Sequence, residues 1–301
     1  MNKYVFLLLA ALSITATSLS AQVNPTLDNY LLNPVRLSPA AAGTLDRDLQ
    51  LIYDKQWVGI NGAPQSSMLS YDYMTEGRLG LNVEVVNDQV GPVASNSLGF
   101  ATAYHLQVGR KQYVSMGLRG TFTQFNVNLL DVTVLDSWDP KFLQNYQTNW
   151  LPNVDWSLNY RSEKAYVGFA IKNLIENPLF ENNYTVSTTS FWGGYRSKIK
   201  RTDWTLHPSA VVHFTDNYPV DLNLHLMAEY GRMYSFGAVM SPGDHIGLIG
   251  KLMPNTKTTI IYRYTYPISA LSQATFQSHM IGLGYSFNAP IKRIVSPRLF
   301  F

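Results

Sequence analysis

The chain has 301 residues, of which 14% are charged and 13% aromatic, with a formal net charge of +3 and no cysteine. So slight a positive excess leaves no footprint for nucleic acid, and without cysteine there is neither a disulfide framework nor thiolate chemistry. Charge this sparse, against about 25% in ordinary soluble domains, together with 19 Tyr and 6 Trp, suits a surface that meets lipid through aromatic girdles.

The first element reads as an export signal. Lys3 precedes an apolar stretch over residues 5–12, and Ala16, Ser18, Ser20 and Ala21 follow. The pattern predicts a cleaved signal peptide over 1–21, with the cut after Ser20 or Ala21. No cysteine sits at the cut to carry a lipid anchor. Beyond residue 22 no apolar run approaches the ~20 residues of a membrane helix.

Residues 22–47 carry Asn33, Pro34, Pro39 and Gly43 and show no alternation. They are expected to form a periplasmic N-terminal segment outside the barrel wall. Two placements stay open for it: folded up into the lumen, or reaching a periplasmic partner.

From residue 48 the dominant signal has a period of two. Leu79, Leu81, Val83 and Val85 alternate with Arg78, Gly80, Asn82 and Glu84. Ala165, Val167, Phe169 and Ile171 alternate with Lys164, Gly168 and Lys172. In 220–230, Val220, Leu222, Leu224, Leu226, Ala228 and Tyr230 oppose Asp221, Asn223, His225, Met227 and Glu229. A helix would place Leu224 opposite Leu222 and Leu226, whereas a strand puts all three on one face. Ile281, Leu283, Tyr285 and Phe287 repeat the pattern.

Strands are predicted at 48–57, 65–74, 78–88, 95–106, 112–123, 153–161, 164–173, 187–196, 204–214, 219–230, 233–241, 244–253, 256–266 and 276–287. Their lengths are mostly the roughly 9–12 residues a tilted membrane strand needs. The fold class expected is all-β: an antiparallel transmembrane β-barrel of about 14 strands over residues 48–287. Connections after even strands are all short, and those after odd strands include the longest, 124–152, 174–186 and 267–275. Short turns on the periplasmic side and longer loops outside are the habit of bacterial outer-membrane barrels. Residues 288–301 hold Lys292, Arg293 and Arg298, end in Leu299, Phe300 and Phe301, and are expected to form a periplasmic tail.

Several residue groups invite chemistry. His207, His213 and His225 fall on the polar face of adjacent strands. Antiparallel counting sets His225 opposite residue ~209 and spreads the three along the wall, so polar filling of the lumen is favoured over a metal or proton site. Asp131, Asp136 and Asp139 lie in the longest loop but lack the glycine and terminal glutamate of a calcium loop, so a solvated loop is expected. No nucleophile elbow, zinc-protease helix or phosphate-cradling loop occurs. The expectation is a non-enzyme with no cofactor and no metal. Gly284, Tyr285, Ser286 and Phe287 suit both an aromatic terminal strand read by assembly machinery and ordinary girdle residues.

Three stretches carry a family resemblance. The first is Asn33, Pro34, Val35, Arg36, Leu37, Ser38, Pro39, Ala40 and Gly43. The second is Lys55, Gln56, Trp57, Val58, Gly59, Ile60, Asn61, Gly62, Ala63 and Pro64, followed by Asn87, Asp88, Gln89, Val90 and Gly91. The third runs from Pro208 and Ser209 through Tyr262 and Tyr266 to Ser278, His279 and Tyr285. Together they resemble the PorP/SprF family over nearly all of the chain after the signal. Ser38 stands where the family usually has Asn. Arg263 and Met280 stand where it often has Asp and Glu.

The resemblance implies an integral outer-membrane component of the type IX secretion system. Such a component works with periplasmic ring proteins to export or anchor surface proteins, including gliding adhesins. It offers Asn33, Pro34, Pro39, Gly43, Gln56, Trp57, Gly59, Gly62, Pro64, Asn87, Asp88 and His279 as motif or docking residues. For 55–64 the residues alone favour a tight turn, with Gly59 and Gly62 permitting positive φ, Pro64 opening the next strand and Trp57 anchoring at the interface. Expected partners are ring proteins, a secreted substrate and outer-membrane lipid. The competing readings are an outer-membrane channel or small-solute transporter, and a lipid hydrolase, which would need a Ser–His pair near one rim.

Overall fold

A computed structural model describes residues 33–45, 48–131, 144–179, 184–231, 233–275 and 277–287. The expected signal peptide (1–21), the start of the N-terminal segment and the tail (288–301) lie outside the described residues.

The wall is built from β1 (Leu49–Lys55), β2 (Gln65–Met74), β3 (Leu79–Val90), β4 (Val93–Gly109), β5 (Gln112–Val127), β6 (Leu151–Arg161) and β7 (Ala165–Lys172). It continues through β8 (Thr188–Tyr195), β9 (Trp204–Thr215), β10 (Asp221–Tyr230), β11 (Tyr234–Ser241), β12 (His245–Leu252), β13 (Thr258–Pro267) and β14 (Ser278–Tyr285). Each strand pairs antiparallel with the next. The sheet closes where β1 meets β14, with Leu49 opposite Tyr285 and Lys55 opposite His279. Closure leaves no edge of unpaired backbone in the wall, which lipid would not tolerate.

Every strand falls where the period of two places it. β3, β4 and β5 run further than expected, and two-residue strands at Tyr146–Gln147 and Ser197–Lys198 add to the sheet. Hydrogen-bonded ladders continue past the lipid zone because pairing needs no apolar face, so alternation alone stops short of these ends.

The two faces separate as predicted. Outside, Leu69, Leu81, Phe100, Leu118, Leu226, Leu248 and Leu283 are exposed. Inside, Asn82, Glu84, His105, Arg119, Asp155, His213 and Asn223 are buried. The lumen is not uniformly polar, however. Ile52, Met68, Val86, Met227, Val239, Ile249, Ile261 and Met280 point inward and form a buried apolar belt.

Of the two placements left open for the N-terminal segment, residues 33–45 occupy the lumen. Asn33 caps a one-turn helix α1 (Pro34–Leu37), its side chain accepting from Val35 N at 3.1 Å. Pro34 at the first helical position needs no amide partner there. A 3-10 turn follows at Pro39–Ala41.

Candidate functional site

The lumen is where the chain departs from a simple pore, and the short segment 33–45 makes it so. Two glycines let this plug lie flat on the wall. A Cβ added to Gly80 of β3 would sit 1.9 Å from Ala42 O, and one on Gly117 of β5 would sit 2.2 Å from Ala40 N. Gly43 takes φ +76, and a side chain there would meet Gly80 Cα at 2.5 Å. The motif glycine is thus required twice over, by conformation and by contact.

Polar wall residues then take up the plug's backbone. The Asp72 carboxylate accepts from Gly43 N at 2.8 Å and Leu45 N at 3.0 Å. Ser157 Oγ accepts from Ala40 N at 2.7 Å. Ser38 Oγ donates to Asn159 Oδ1 at 2.9 Å, and Asn33 Nδ2 donates to Ser70 Oγ at 3.0 Å. His105 Nε2 lies 2.9 Å from Ala42 O. A carbonyl only accepts, so Nε2 carries a proton, and Nδ1 lies 2.7 Å from the Ser115 hydroxyl.

A charged cluster holds the other end. Glu84 Oε1 lies 3.3 Å from Arg36 Nη1 on the plug and 3.2 Å from Arg119 Nη1 on β5. Arg119 also pairs with Asp155 through Nη2 and, at 2.7 Å, through Nε. Its remaining reach is to the plug carbonyls of Val35 and Arg36 at 3.5 and 3.4 Å. These charges are buried, so each needs its partners. Val35, Ala41, Ala42 and Leu45 complete the contact by packing on Ala101 and Ala103 of β4.

The 55–64 motif lies at the other end of the barrel from the β14 C-terminus. It is a turn stitched to its neighbours. Gln56 N donates to Pro64 O at 2.9 Å, and Gly91 N to Gly62 O at 2.8 Å. Trp57 N donates to Ser278 Oγ at 3.0 Å, Val58 N to Gln277 O at 2.9 Å, and Thr275 Oγ1 to Val58 O at 3.0 Å. Trp57 holds φ +46, a strained conformation for a bulky residue. The motif therefore ties the β1–β2, β3–β4 and β13–β14 connections together.

The remaining expected residues scatter. Asn87 bonds Asn96 across the outer face at 2.8 Å, and His279 Nδ1 meets Tyr262 Oη at 2.6 Å beside the aromatic ring of Tyr264. Asp88 is half-buried on β3. Arg263 and Met280 are cross-strand partners, and Arg263 reaches Asp54 at 3.4 Å inside the lumen. His207 meets Tyr166 Oη at 3.0 Å, His213 meets Ser190 Oγ at 2.7 Å, and His225 faces Ser209 in the register. The three histidines serve separate wall contacts. Asp131 ends a 3-10 turn at Leu129–Asp131, while Asp136 and Asp139 lie outside the described residues. Among the described residues no cluster of three or more His, Asp or Glu is arranged to hold a metal.

The plug contacts were invisible to sequence reasoning. Arg119, Asp155, Asp72 and Ser157 look like ordinary inward polar residues, and Gly80 and Gly117 like ordinary strand glycines. Only the fold brings β2, β3, β5 and β6 around one short segment.

Comparison with known proteins adds the lineage. The family model described as "Type IX secretion system membrane protein PorP/SprF" matches residues 19–285. No curated protein matches the sequence. Among solved structures, the CymD monoaromatic hydrocarbon channel is 15% identical, with a TM-score of 0.55, covering 88% of this chain and 94% of its own. The Ralstonia pickettii toluene transporter TbuX is 11% identical, with a TM-score of 0.51, covering 86% and 93%. The Acinetobacter baumannii outer membrane protein Omp33 is 11% identical, with a TM-score of 0.47, covering 80% and 98%. At such identities the likeness is one of fold.

Proposed function

This chain belongs to the PorP/SprF family of type IX secretion system membrane proteins, and from that premise we propose that it is a non-enzymatic platform in the outer membrane rather than a conduit. It helps export or anchor secreted proteins, adhesins among them, through contacts with periplasmic ring components. The observation that carries the platform reading is the filled lumen. Residues 33–45 are hydrogen-bonded to the wall at several separate points, and the inward apolar belt is buried beside them. A solute path through the centre would have to break these contacts together.

The 55–64 turn, locked to two neighbouring connections, supplies a rigid outer surface. Gln56, Trp57, Gly59, Gly62 and Pro64 act there by holding its shape. Asn33, Pro34, Pro39 and Gly43 act by seating the plug. The end where β1 begins and β14 finishes is where ring components would engage.

The test is genetic and biochemical. Deleting the gene is expected to keep a type IX substrate from the cell surface, and mild-detergent pull-down of the native protein is expected to recover periplasmic ring proteins. Normal surface display in the deletion strain would reject the reading.

A further inference from the structure

The outward faces of β3, β4 and β5 change character at one shared level. On β3 they run Leu79, Leu81, Val83 and Val85, then Asn87 and Gln89. The register sets Val85 opposite Leu98 and Leu98 opposite Phe122, so one apolar tier crosses three strands. The tier above it pairs Asn87 with Asn96 and Asn96 with Gln124. The next holds Gln65, Gln89, Asn126 and Gln147. Apart from Thr102, the outward face of β4 is apolar from Val108 to Leu98. Roughly ten residues at ~3.3 Å each, tilted by about 40°, rise about 25 Å, the height of the apolar band of a membrane barrel. The carboxamides therefore begin where the hydrocarbon stops, at the end with the longest connections, which in such barrels is the outer one.

This surface is polar with almost no charge. Among residues 87–98, 121–128 and 144–150 the one charged side chain is Asp88, which lies on the opposite face of β3. Lys55 of β1, opposite Gln65, stands at the margin. A face that met only water would carry the mixed charges of an ordinary soluble surface. Its hydrogen-bonding capacity is half used. Asn87 Nδ2 donates to Asn96 Oδ1 at 2.8 Å, and Gln65 Nε2 to Gln89 Oε1 at 2.7 Å. Each pair keeps a carbonyl oxygen and an amide nitrogen, on neighbouring strands, for an outside partner. A sugar hydroxyl, which donates and accepts at once, complements such a pair, whereas a phosphate diester only accepts. Exposed Trp150 precedes Leu151, which faces Thr123, and so borders Gln124. Its ring offers a flat apolar surface to the C–H face of a sugar.

We propose that the amide surface binds the saccharide headgroups of outer-leaflet glycolipid. Acyl chains cover Val85, Leu98 and Phe122. The neutral sugar rings joined to them lie one tier higher, against Asn87, Gln89, Asn96 and Gln124, with Trp150 stacked on a ring. The amide surface continues the lipid-contacting face without a break, so a molecule that is hydrocarbon below and sugar above meets both at once. Phospholipids match the lower tier alone, because a single marginal lysine is too little to hold a layer of phosphates.

The experiment uses the full-length barrel in neutral detergent, with bound molecules counted by native mass spectrometry. The probes are lipopolysaccharide stripped of phosphate, phosphatidylglycerol, and the free oligosaccharide released from the same lipopolysaccharide. Saturable binding of the dephosphorylated glycolipid, tighter than that of phosphatidylglycerol, is expected. Asn87→Ala combined with Asn96→Ala should weaken it about tenfold and leave phosphatidylglycerol binding as it was. Should that protein not fold, Trp150→Ala, which lies outside the strands, should give the same selective loss. Equal affinity for the two lipids, or a glycolipid affinity that neither change alters, would overturn the proposal. Free oligosaccharide bound as tightly as the glycolipid would overturn it too, assigning the face to soluble glycans. A dimer of the barrel that the double change dissolves would do so in favour of a second copy.

Discussion

At the scale of single residues, position relative to the wall sets what a change does. Arg119 holds Glu84, Asp155 and two plug carbonyls at once. Arg119→Met would take the guanidinium from Asp155 and leave Glu84 with Arg36 alone, and breaking such a buried pair costs about 3–5 kcal/mol. Urea refolding titrations into lipid vesicles should register that loss, and the double change with Asp155→Asn should lose less than the sum of the singles. Leu226, 53% exposed on the outer face of β10, tests the opposite side. Leu226→Arg should cost about 2–4 kcal/mol near the bilayer midplane, whereas Leu226→Ala should cost far less. An arginine tolerated at Leu226 would mean the face assignment is wrong. Met227, one residue on, is buried in the lumen, so its apolar character has a different cause.

At the scale of elements, the plug and the strands form one unit. Segment 33–45 is too short to hold α1 and the 3-10 turn by itself, since a single helical turn is not stable in water. Its shape comes from Asp72, Ser157, His105 and the two flat places left by Gly80 and Gly117. A Gly80→Ala Cβ presses on the Ala42 carbonyl of the plug. Overpacking of this kind costs about 1–3 kcal/mol, and here relief comes most easily by lifting the plug. Limited proteolysis in detergent should cut within 33–45 of the Gly80→Ala protein well before the unaltered one. Equal protection in both would mean that the wall yields instead. Burial of Val35, Leu37 and Leu45 opposes lifting, with about 1.5–3 kcal/mol for each such side chain.

At the scale of the whole molecule, the closed cylinder and its filling decide what can pass. The belt of Ile52, Met68, Val86, Ile249, Ile261 and Met280 and the seated plug leave these interior side chains buried. In planar bilayers the purified protein should show no large steady conductance, and deletion of residues 33–45 should raise it. A wide, steady pore in the intact protein would favour the transport reading over the platform. Both solved structures with TM-scores above 0.5 are described as a channel and a transporter, and at 15% and 11% identity their likeness is one of fold.

The amino-acid sequence by itself determined the strand count, the order, the lipid-facing side and the family. It did so because alternation is a local property: two neighbours along a strand suffice to tell outside from inside, and Trp57 with Pro64 is a contiguous motif. The inside was a different matter. Met227 and Val239 break no rule visible along the chain, and Gly80 carries no mark that Ala42 will lie against it. Arg119 reads like any inward cation until closure sets Glu84 and Asp155 around it. Which strands surround residues 33–45, and which charges they bring together, depends on the sheet rolling shut so that residues far apart in sequence share one enclosed space. That juxtaposition belongs to the tertiary structure, because burial is created only when the cylinder closes.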